Sequence, residues 1–410
     1  AANQQTSRAK LARYLPRQLS GAPTSGLFLS LMPRIGFVVL AAAYHSMIKY
    51  IGSKRTLVPL ILEVIRRTGK TKSVIDLFSG TSRVGHALKA AGYRVFANDH
   101  NTYAATIARC YVQADREDIF SDAQKLVGEL NNIKGKSGYF TETFCIQSRF
   151  FQPKNGERVD AIREAITKKS LPPELEAVML VSLMEAADRV DSTTGVQMAY
   201  LKSWAARAHN DLHLRVPDVL PRARHGKGKA TCLDAFDAAK NLSADVAYID
   251  PPYNQHSYLG NYHIWESLVR WDKPPVYGIA CKRIDCREQE RKSVFNSKPR
   301  FTAAMQTLLK TVRAKVLVIS FNNEGYMNRE DMESSLAQLF DGEAAVSTIE
   351  NDYKRYVGAQ IGIHNLRGEK VGKVSHLRNK EYIYVVSRES LAEQMNELGS
   401  CETEQPSLFV

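Results

Sequence analysis

The stretch "SVIDLFSGTSRVGHALKAAGYRVFAND", residues 73–99, alternates between strand and helix patterns. Its first part, "SVIDLF" at 73–78, is apolar enough for a buried strand. A loop and a helix follow it and stop at Gly92, and "YRVFAND" at 93–99 reads as the next strand. This order is typical of a parallel sheet whose crossover connections are helices. The stretch therefore predicts an α/β fold.

The same alternation continues along the chain after Met47. Further strands are predicted at "ADVAYID", "AKVLVIS" (314–320) and "EYIYVVS" (381–387), and further helices at "NTYAATIARCYV" and "NYHIWESLVRW". We predict a three-layer, Rossmann-like, doubly wound parallel sheet as the catalytic domain, formed by residues 47–112 and 230–390.

The segment between these two parts has no convincing strand pattern. It contains polar helical stretches such as "ERVDAIREAITKK" and "LPPELEAVMLVSLMEAADRV". We therefore predict a mostly helical insert at 113–229. Residues 391–410 are predicted to be a C-terminal tail.

The overall charge indicates a polyanionic partner. The chain of 410 residues carries a formal net charge of +13, and clustered Lys and Arg side chains supply affinity for nucleic acid that does not depend on sequence. A membrane surface is a weaker alternative. The six cysteines include no C-x-x-C pair, so neither a zinc site nor a disulfide framework is indicated. We expect reduced thiols and a cytoplasmic location.

Residues 1–46 differ from the rest in composition. They contain five basic residues, no acidic one, and the apolar run "IGFVVLAAA" at 35–43. A bilayer span needs about 20 apolar residues, so this run is too short to cross a membrane, although it imitates a secretory signal. We predict that the native chain starts at Met47 rather than with a secretory signal. The preceding stretch is then a disordered or non-native extension.

In the stretch "DVAYIDPPYNQH" at 245–256, a predicted strand is followed directly by an acidic residue, two prolines and an aromatic residue. Asp250 offers a charged acceptor, Pro251 and Pro252 hold rigid carbonyl acceptors, and Tyr253 offers a flat ring. Together these groups suit an amino group attached to a flat ring. An acidic turn after a strand is the alternative for the first three residues.

A second cluster follows the first two predicted strands. Asp76 lies at the end of the first strand, and Gly80 and Gly85 allow a ligand to approach the backbone closely. Asp99 ends the second strand, a position from which a carboxylate reaches ribose hydroxyls in α/β nucleotide-binding folds. The pair indicates an adenosine-containing cofactor, and the missing G-x-G-x-x-G disfavours a dinucleotide. A solvated turn is the alternative for Asp99.

These motifs together resemble the DNA adenine (N6) methyltransferases that use S-adenosylmethionine, in the class whose recognition segment lies between the cofactor and catalytic motifs. The resemblance runs from Lys49 to about Val386. It rests on four motifs in the order of the family: "KYIGSKR" (49–55), "DLFSGTSRVG" (76–85), Asp99 and "DPPY" (250–253). One departure is Ser82, where many members have a second glycine.

The resemblance implies roles for single residues. Asp76 and the backbone around Phe78 and Gly80 would hold the methionine end of S-adenosylmethionine, with Lys54 as the partner of its carboxylate. Tyr50 would also bind the cofactor. Asp99 would bind its ribose and Asp234 its adenine. An ordinary solvated lysine is the alternative for Lys54, and a loop acid for Asp234.

The catalytic signature would act on the target amine. Asp250 and the Pro251 carbonyl would accept the amino hydrogens, and Tyr253 would stack on a base turned out of the DNA helix. This chemistry requires no metal.

Positive stretches predict where double-stranded DNA binds. In "PRARHGKGK" (221–229) the predicted phosphate contacts are Arg222, Arg224, Lys227 and Lys229; residues 281–300 and 353–380 are also basic. A solvated face is the alternative for each stretch. The mixed segment "DSTTGVQMAYLKSW" (191–204) suits base reading, although Tyr200 and Trp204 would equally suit a core.

The expected function is site-specific methylation of adenine in duplex DNA, in a restriction-modification or epigenetic role. A restriction-modification role would imply a cognate restriction endonuclease as partner. The alternatives are methylation of an amino group on cytosine, RNA or a protein glutamine, and a catalytically silent, cofactor-sensing DNA-binding protein.

Overall fold

The fold was analysed in a computed structural model, which describes residues 47–255, 257–354 and 378–398. The predictions for residues 1–46, for most of the basic stretch 353–380 and for the end of the tail lie outside these ranges. Within them, no helix is long and apolar enough to span a membrane.

A seven-stranded sheet forms the centre of the fold, with the strand order β3-β2-β1-β4-β7-β9-β8. Its strands are β1 Ser73–Asp76, β2 Arg94–Asn98, β3 Lys229–Thr231, β4 Ser243–Ile249, β7 Arg313–Asn322, β8 Ala345–Lys354 and β9 Arg378–Ser387. A separate two-stranded antiparallel ladder joins β5 Val276–Tyr277 to β6 Lys282–Arg283.

The sheet is mixed: the strands linked by helices are parallel, as the alternation predicts, and the edge formed by β8 and β9 is antiparallel. Strands β1, β2, β3, β4 and β7 are parallel, whereas β9 runs antiparallel to both β7 and β8. An apolar strand pattern carries no information on direction, so "EYIYVVS" predicted a strand without predicting its orientation.

Helices cover both faces of the sheet and make three layers. The helices are α1 Val58–Arg67, α2 Arg83–Ala90, α3 Thr102–Ala108, α4 Arg116–Asn131, α5 Pro153–Lys169, α6 Pro173–Asp188, α7 Ala235–Asn241, α8 Tyr258–Asn261, α9 His263–Arg270, α10 Lys298–Thr311, α11 Arg329–Ala337 and α12 Ala392–Met395. On one face α7, α10 and α11 bury apolar residues against Ile75, Ala247 and Leu317. On the other face α2 and α3 contact β2.

The two helical stretches quoted between 113 and 229 lie in α5 and α6, and α4 belongs to the same segment. They pack with α3 and α9 into one core, which contains Tyr103, Leu183 and Trp265. Proline occupies the first turn of α5 and α6, where its missing N–H costs no hydrogen bond. This helical layer is therefore joined by apolar contacts to the helices that flank the sheet.

Candidate functional site

The carboxyl ends of β1, β2 and β4 meet at one edge of the sheet, because β1 pairs in parallel with both neighbours. A cleft of about 1090 Å³, including space open to solvent, lies at this edge. Its lining includes the seven predicted cofactor residues and part of the catalytic signature: Tyr50, Lys54, Asp76, Phe78, Gly80, Asp99, Asp234, Asp250 and Pro252. The chain topology thus brings four distant motifs to one cavity.

Asp250 follows β4 and faces a buried lysine. Its Oδ1 lies 3.1 Å from Nζ of Lys54, whose side chain is 8% exposed. Burial raises the pKa of Asp250 to about 6, while Lys54 opposes this rise and Glu381 adds to it. Burial lowers the pKa of Lys54, but the two carboxylates outweigh it and hold that pKa well above its usual value. The cleft therefore contains a carboxylate with strengthened affinity for protons.

Tyr253 lies beside this pair. Its half-buried ring has Nζ of Lys54 at 5.8 Å from the centroid, and Phe321 packs edge-on with centroids 5.6 Å apart. Pro251 is buried and Pro252 lines the cleft. Two contacts thus fix the ring of Tyr253 next to Asp250.

The glycine loop after β1 surrounds Asp76, which is 1% exposed. Asp76 accepts a hydrogen bond from Ser79 Oγ at 2.9 Å, and burial raises its pKa to about 7. A Cβ atom on Gly85 would lie 3.0 Å from Oδ2 of Asp76 and 2.9 Å from Cγ2 of Val112. Only glycine therefore allows α2 to approach β1 this closely.

Asp99 joins the loop to the end of β2. It accepts the backbone N–H groups of Gly80 and Asn101, each at 2.9 Å. Burial raises its pKa, and these hydrogen bonds oppose the rise. The Gly80 backbone has a φ of +53°, and a Cβ there would lie 3.5 Å from the ring of Tyr50. Glycine thus keeps this part of the cleft open for a ligand.

Tyr50 forms one wall of the cleft. Its ring is stacked between Tyr258 and Tyr262, with centroids 5.2 Å and 4.4 Å away, and its hydroxyl lies 3.0 Å from the hydroxyl of Tyr103. Burial raises the pKa of Tyr50 well above its usual value. The wall is therefore rigid, aromatic and uncharged.

Asp234 lies at the start of α7 and lines the cleft from outside the sheet. Its side chain accepts the N–H of Phe236 at 2.9 Å and so caps the helix. The residue is exposed, and one carboxylate oxygen is committed to the cap. Its structural role and its predicted contact with adenine are therefore compatible.

Ser82, the departure from glycine, lies just before α2 in a left-handed conformation with φ +58°. It is fully buried, and its Oγ lies 3.0 Å from Oγ of Ser79. The backbone geometry that favours glycine is thus retained with a serine.

Comparison with known proteins decides the family. Residues 50–334, more than half of the chain, match the model for D12 class N6 adenine-specific DNA methyltransferases. The chain belongs to this family.

Several relatives of this D12-class chain are modification enzymes. The modification methylase StsI of Streptococcus sanguinis is 29% identical over 76% of the chain and 49% of its own length. The type II methyltransferase M.FokI of Planomicrobium okeanokoites is 30% identical over 70% and 46%. The type II methyltransferase M.NlaIII of Neisseria lactamica is 27% identical over 81% and 99%. The chain thus spans about half the length of the first two relatives.

The predicted phosphate contacts of the D12-class chain lie away from the cleft. Arg222 pairs with Asp115 at 2.6 Å, and Lys227 pairs with Glu174 at 2.9 Å. Arg224 and Lys229 are exposed. The segment passes the amino end of β2, where the backbone N–H of His225 donates to the Gly92 carbonyl. Asp99 lies at the other, carboxyl end of β2. Phosphate contact by these four residues stays a prediction.

The segment 191–204 is tied to the motif that carries Tyr50. Lys49 Nζ lies 3.0 Å from Asp191. The Tyr262 hydroxyl accepts the N–H of Ile51 and donates to the Gly195 carbonyl at 3.4 Å, which links the motif to the segment. Tyr200 packs edge-on against buried Phe150, which favours a core role for that ring. Trp204 is half-buried, with the guanidinium of Arg149 at 4.8 Å from its ring.

Glu381 and Tyr258 are among the site residues that sequence reasoning missed. Glu381 on β9 hydrogen-bonds Lys54, and Tyr258 on α8 lines the cleft and stacks on Tyr50. The acid in the otherwise apolar strand "EYIYVVS" was a usable signal, because a charge in a buried strand needs a partner. Among the described residues, no cluster of His, Cys, Asp or Glu could hold a metal ion.

Proposed function

We propose that this chain is an S-adenosylmethionine-dependent DNA methyltransferase that methylates N6 of adenine at a specific duplex sequence. The observation that carries the proposal is the position of Asp250, which lies in one cleft with Asp76, Asp99 and the open backbone at Gly80. The family match and the modification methylases among the relatives support the same function.

The cleft suits an adenosine-containing cofactor with an amino acid end. Asp76 would pair with the methionine ammonium, Asp99 would accept ribose hydroxyls, and Asp234 would accept the adenine amino group. Phe78 and Tyr50 supply apolar walls, and Gly80 leaves space that a side chain would fill. S-adenosylmethionine would supply a methyl group already activated by the positive sulfur.

Asp250 would act on the target amine. Its carboxylate and the Pro251 carbonyl accept the two hydrogens of N6 and direct the nitrogen lone pair at the methyl carbon. The methyl group would pass from sulfur to N6, the pair of the broken carbon–sulfur bond would stay on sulfur, and the proton lost from N6 would pass to the Asp250 carboxylate. The raised pKa of Asp250 makes it a stronger acceptor for the N–H groups as positive charge develops on N6.

Tyr253 would hold the target base outside the DNA stack. Base–aromatic stacking is worth about 1–3 kcal/mol per base, which offsets part of the cost of extrusion. The ring is held by Phe321 and Lys54, so it is already oriented before DNA arrives.

The partner would be double-stranded DNA, attracted by the net charge of +13. Because several relatives are named type II methyltransferases or modification methylases, we extend the proposal to a restriction-modification role with a cognate endonuclease.

Product analysis tests the proposal. The purified chain is incubated with S-adenosylmethionine carrying a labelled methyl group and with genomic DNA that lacks methylation, and the digested nucleosides are separated. We expect label in N6-methyladenine, confined to one short motif when the DNA is read by modification-sensitive sequencing. Label in methylated cytosine, or in no product, would overturn the proposal.

A further inference from the structure

Lys54 is shared between two carboxylates that are distant from it in sequence, Asp250 and Glu381. Its Nζ lies 3.1 Å from Oδ1 of Asp250 and donates a hydrogen bond to Oε1 of Glu381. The same Oε1 accepts the hydroxyl of Ser320 on β7 at 2.6 Å. Glu381 is thus fixed from two sides by buried donors.

The cluster carries one more negative charge than positive. The side chains of Asp250 and Glu381 are only 18% and 2% exposed, and burying an unbalanced charge is costly. Lys54 alone would neutralise Asp250, so Glu381 is not needed to balance that pair. Its presence calls for another explanation.

Competition for Lys54 supplies that explanation. The ammonium of Lys54 contacts both carboxylates, so Glu381 shares the cation that would otherwise pair with Asp250 alone. In the described part of the chain, Oδ2 of Asp250 has no hydrogen-bond partner. A carboxylate that shares its cation with a second carboxylate remains a better hydrogen-bond acceptor than one that pairs with the cation alone.

We propose that Glu381 is a positioning residue, which draws Lys54 away from Asp250 and so keeps the Asp250 carboxylate available for the hydrogens of a substrate amino group. The catalytic meaning of this arrangement rests on the function proposed above. The arrangement itself is a property of the protein alone.

The charged and titratable groups around Asp250 come from several parts of the fold. Besides Lys54 before α1, they are Asp76 on β1, Tyr248 on β4, Tyr253 in the loop after it, Tyr258 on α8 and Glu381 on β9. Burial raises the pKa values of the three tyrosines, which keeps them neutral at ordinary pH. Glu381 and Asp76 are therefore the negative neighbours of Asp250.

Titration of Asp250 in the cofactor-free protein tests the inference. The Asp250 carboxyl carbon is assigned by ¹³C NMR through the loss of its signal in Asp250→Asn. In Glu381→Gln the like charge disappears and Lys54 pairs fully with Asp250, so we expect its pKa to fall by about one unit or more. An unchanged or raised pKa would overturn the inference.

Two control variants separate charge from structure. Ser320→Ala removes a buried hydrogen bond from Glu381 but keeps its charge, and Glu350→Gln removes a carboxylate from the neighbouring strand β8, where it pairs with Arg329. We expect the pKa of Asp250 to stay within a few tenths of a unit of the wild-type value in both. A fall in Ser320→Ala equal to that in Glu381→Gln would show a merely structural effect and contradict the proposal.

Enzyme kinetics test whether Glu381 affects methyl transfer. In Glu381→Gln the acid limb of the pH profile of kcat/KM should move to lower pH, and turnover at pH 8 should fall about tenfold because Asp250 is a weaker acceptor. If the wild-type protein transfers no methyl group, the proposed function is wrong, but the titration still tests the effect of Glu381 on the pKa of Asp250. An active wild type with an unmoved profile in Glu381→Gln would defeat the positioning role alone.

Discussion

The carboxylate of Asp99 accepts the backbone N–H of Gly80 at 2.9 Å and so joins the end of β2 to the glycine loop after β1. Asp99→Asn keeps an oxygen for this hydrogen bond, replaces the acceptor of the Asn101 N–H by an amide NH₂ group, and removes the charge. We expect an unchanged fold and a loss of about 10- to 100-fold in affinity for S-adenosylhomocysteine, as for a lost charge-assisted hydrogen bond. Calorimetric titration measures this affinity, and a value within twofold of wild type would contradict the ribose role of Asp99.

The pKa of Asp76 makes cofactor affinity depend on pH. Burial raises this pKa to about 7, so the carboxylate is protonated in much of the free protein below that pH. An ammonium group pairs with the ionised form, so affinity should rise as pH increases from 6 to 8, by at most about tenfold per unit. The same titration with Asp76→Asn should give weaker binding and a flatter pH dependence. Equal pH dependence in the two proteins would argue against the pairing.

The left-handed backbone at Ser82 stores strain that two substitutions can reveal. Both Ser82→Gly and Ser82→Ala remove the hydroxyl contact with Ser79, but only glycine accepts φ +58° without cost. Denaturant unfolding should therefore find Ser82→Gly more stable than Ser82→Ala by about 1 kcal/mol. Equal stabilities would mean that the loop relaxes around alanine.

Most elements of the sheet could be predicted from short apolar runs. The predicted strand at 314–320 lies within β7, and "EYIYVVS" lies within β9. Two strands were missed. Strand β3 has only three residues, and β8, "AVSTIENDYK", has too many polar residues for an apolar run. Burial of such segments depends on the partner strand, which a local pattern does not reveal.

Candidate site residues could be selected from the sequence where an acidic side chain lay at the end of a predicted strand. Asp76, Asp99 and Asp250 were selected in this way, and the structure brings them to one cleft. The partner of Lys54 was not predictable, because Glu381 lies more than 300 residues away and the intervening topology decides the contact. The ion pairs of Arg222 likewise could not be predicted from the basic segment 221–229. Their partners, Asp115 and Asp118, lie at the start of α4, about 100 residues earlier in the chain.

Asp234 has two roles that different substitutions can separate. Asp234→Asn retains a good N-cap for α7, whereas Asp234→Ala loses it at a cost of about 1 kcal/mol. If Asp234 also binds the cofactor adenine, both variants should bind S-adenosylhomocysteine more weakly, and only the alanine variant should be less stable. Asp237→Ala, an exposed acid on the same helix, is the control. Normal affinity in Asp234→Asn would reduce Asp234 to a helix cap.

The central claim is that Asp250 acts on the amino group of adenine. In Asp250→Ala, binding of S-adenosylhomocysteine and DNA should persist, because neither depends mainly on this carboxylate. The rate of methyl transfer should fall by about 10²- to 10⁴-fold, the usual loss when a positioned proton acceptor is removed.

The most direct measurement is a single-turnover experiment that follows N6-methyladenine in a duplex carrying the target sequence, with wild type and Asp250→Ala at equal occupancy of cofactor and DNA. The account predicts that the variant binds both ligands normally and forms product at least about 100 times more slowly. A variant that forms N6-methyladenine at a rate close to that of wild type would contradict it.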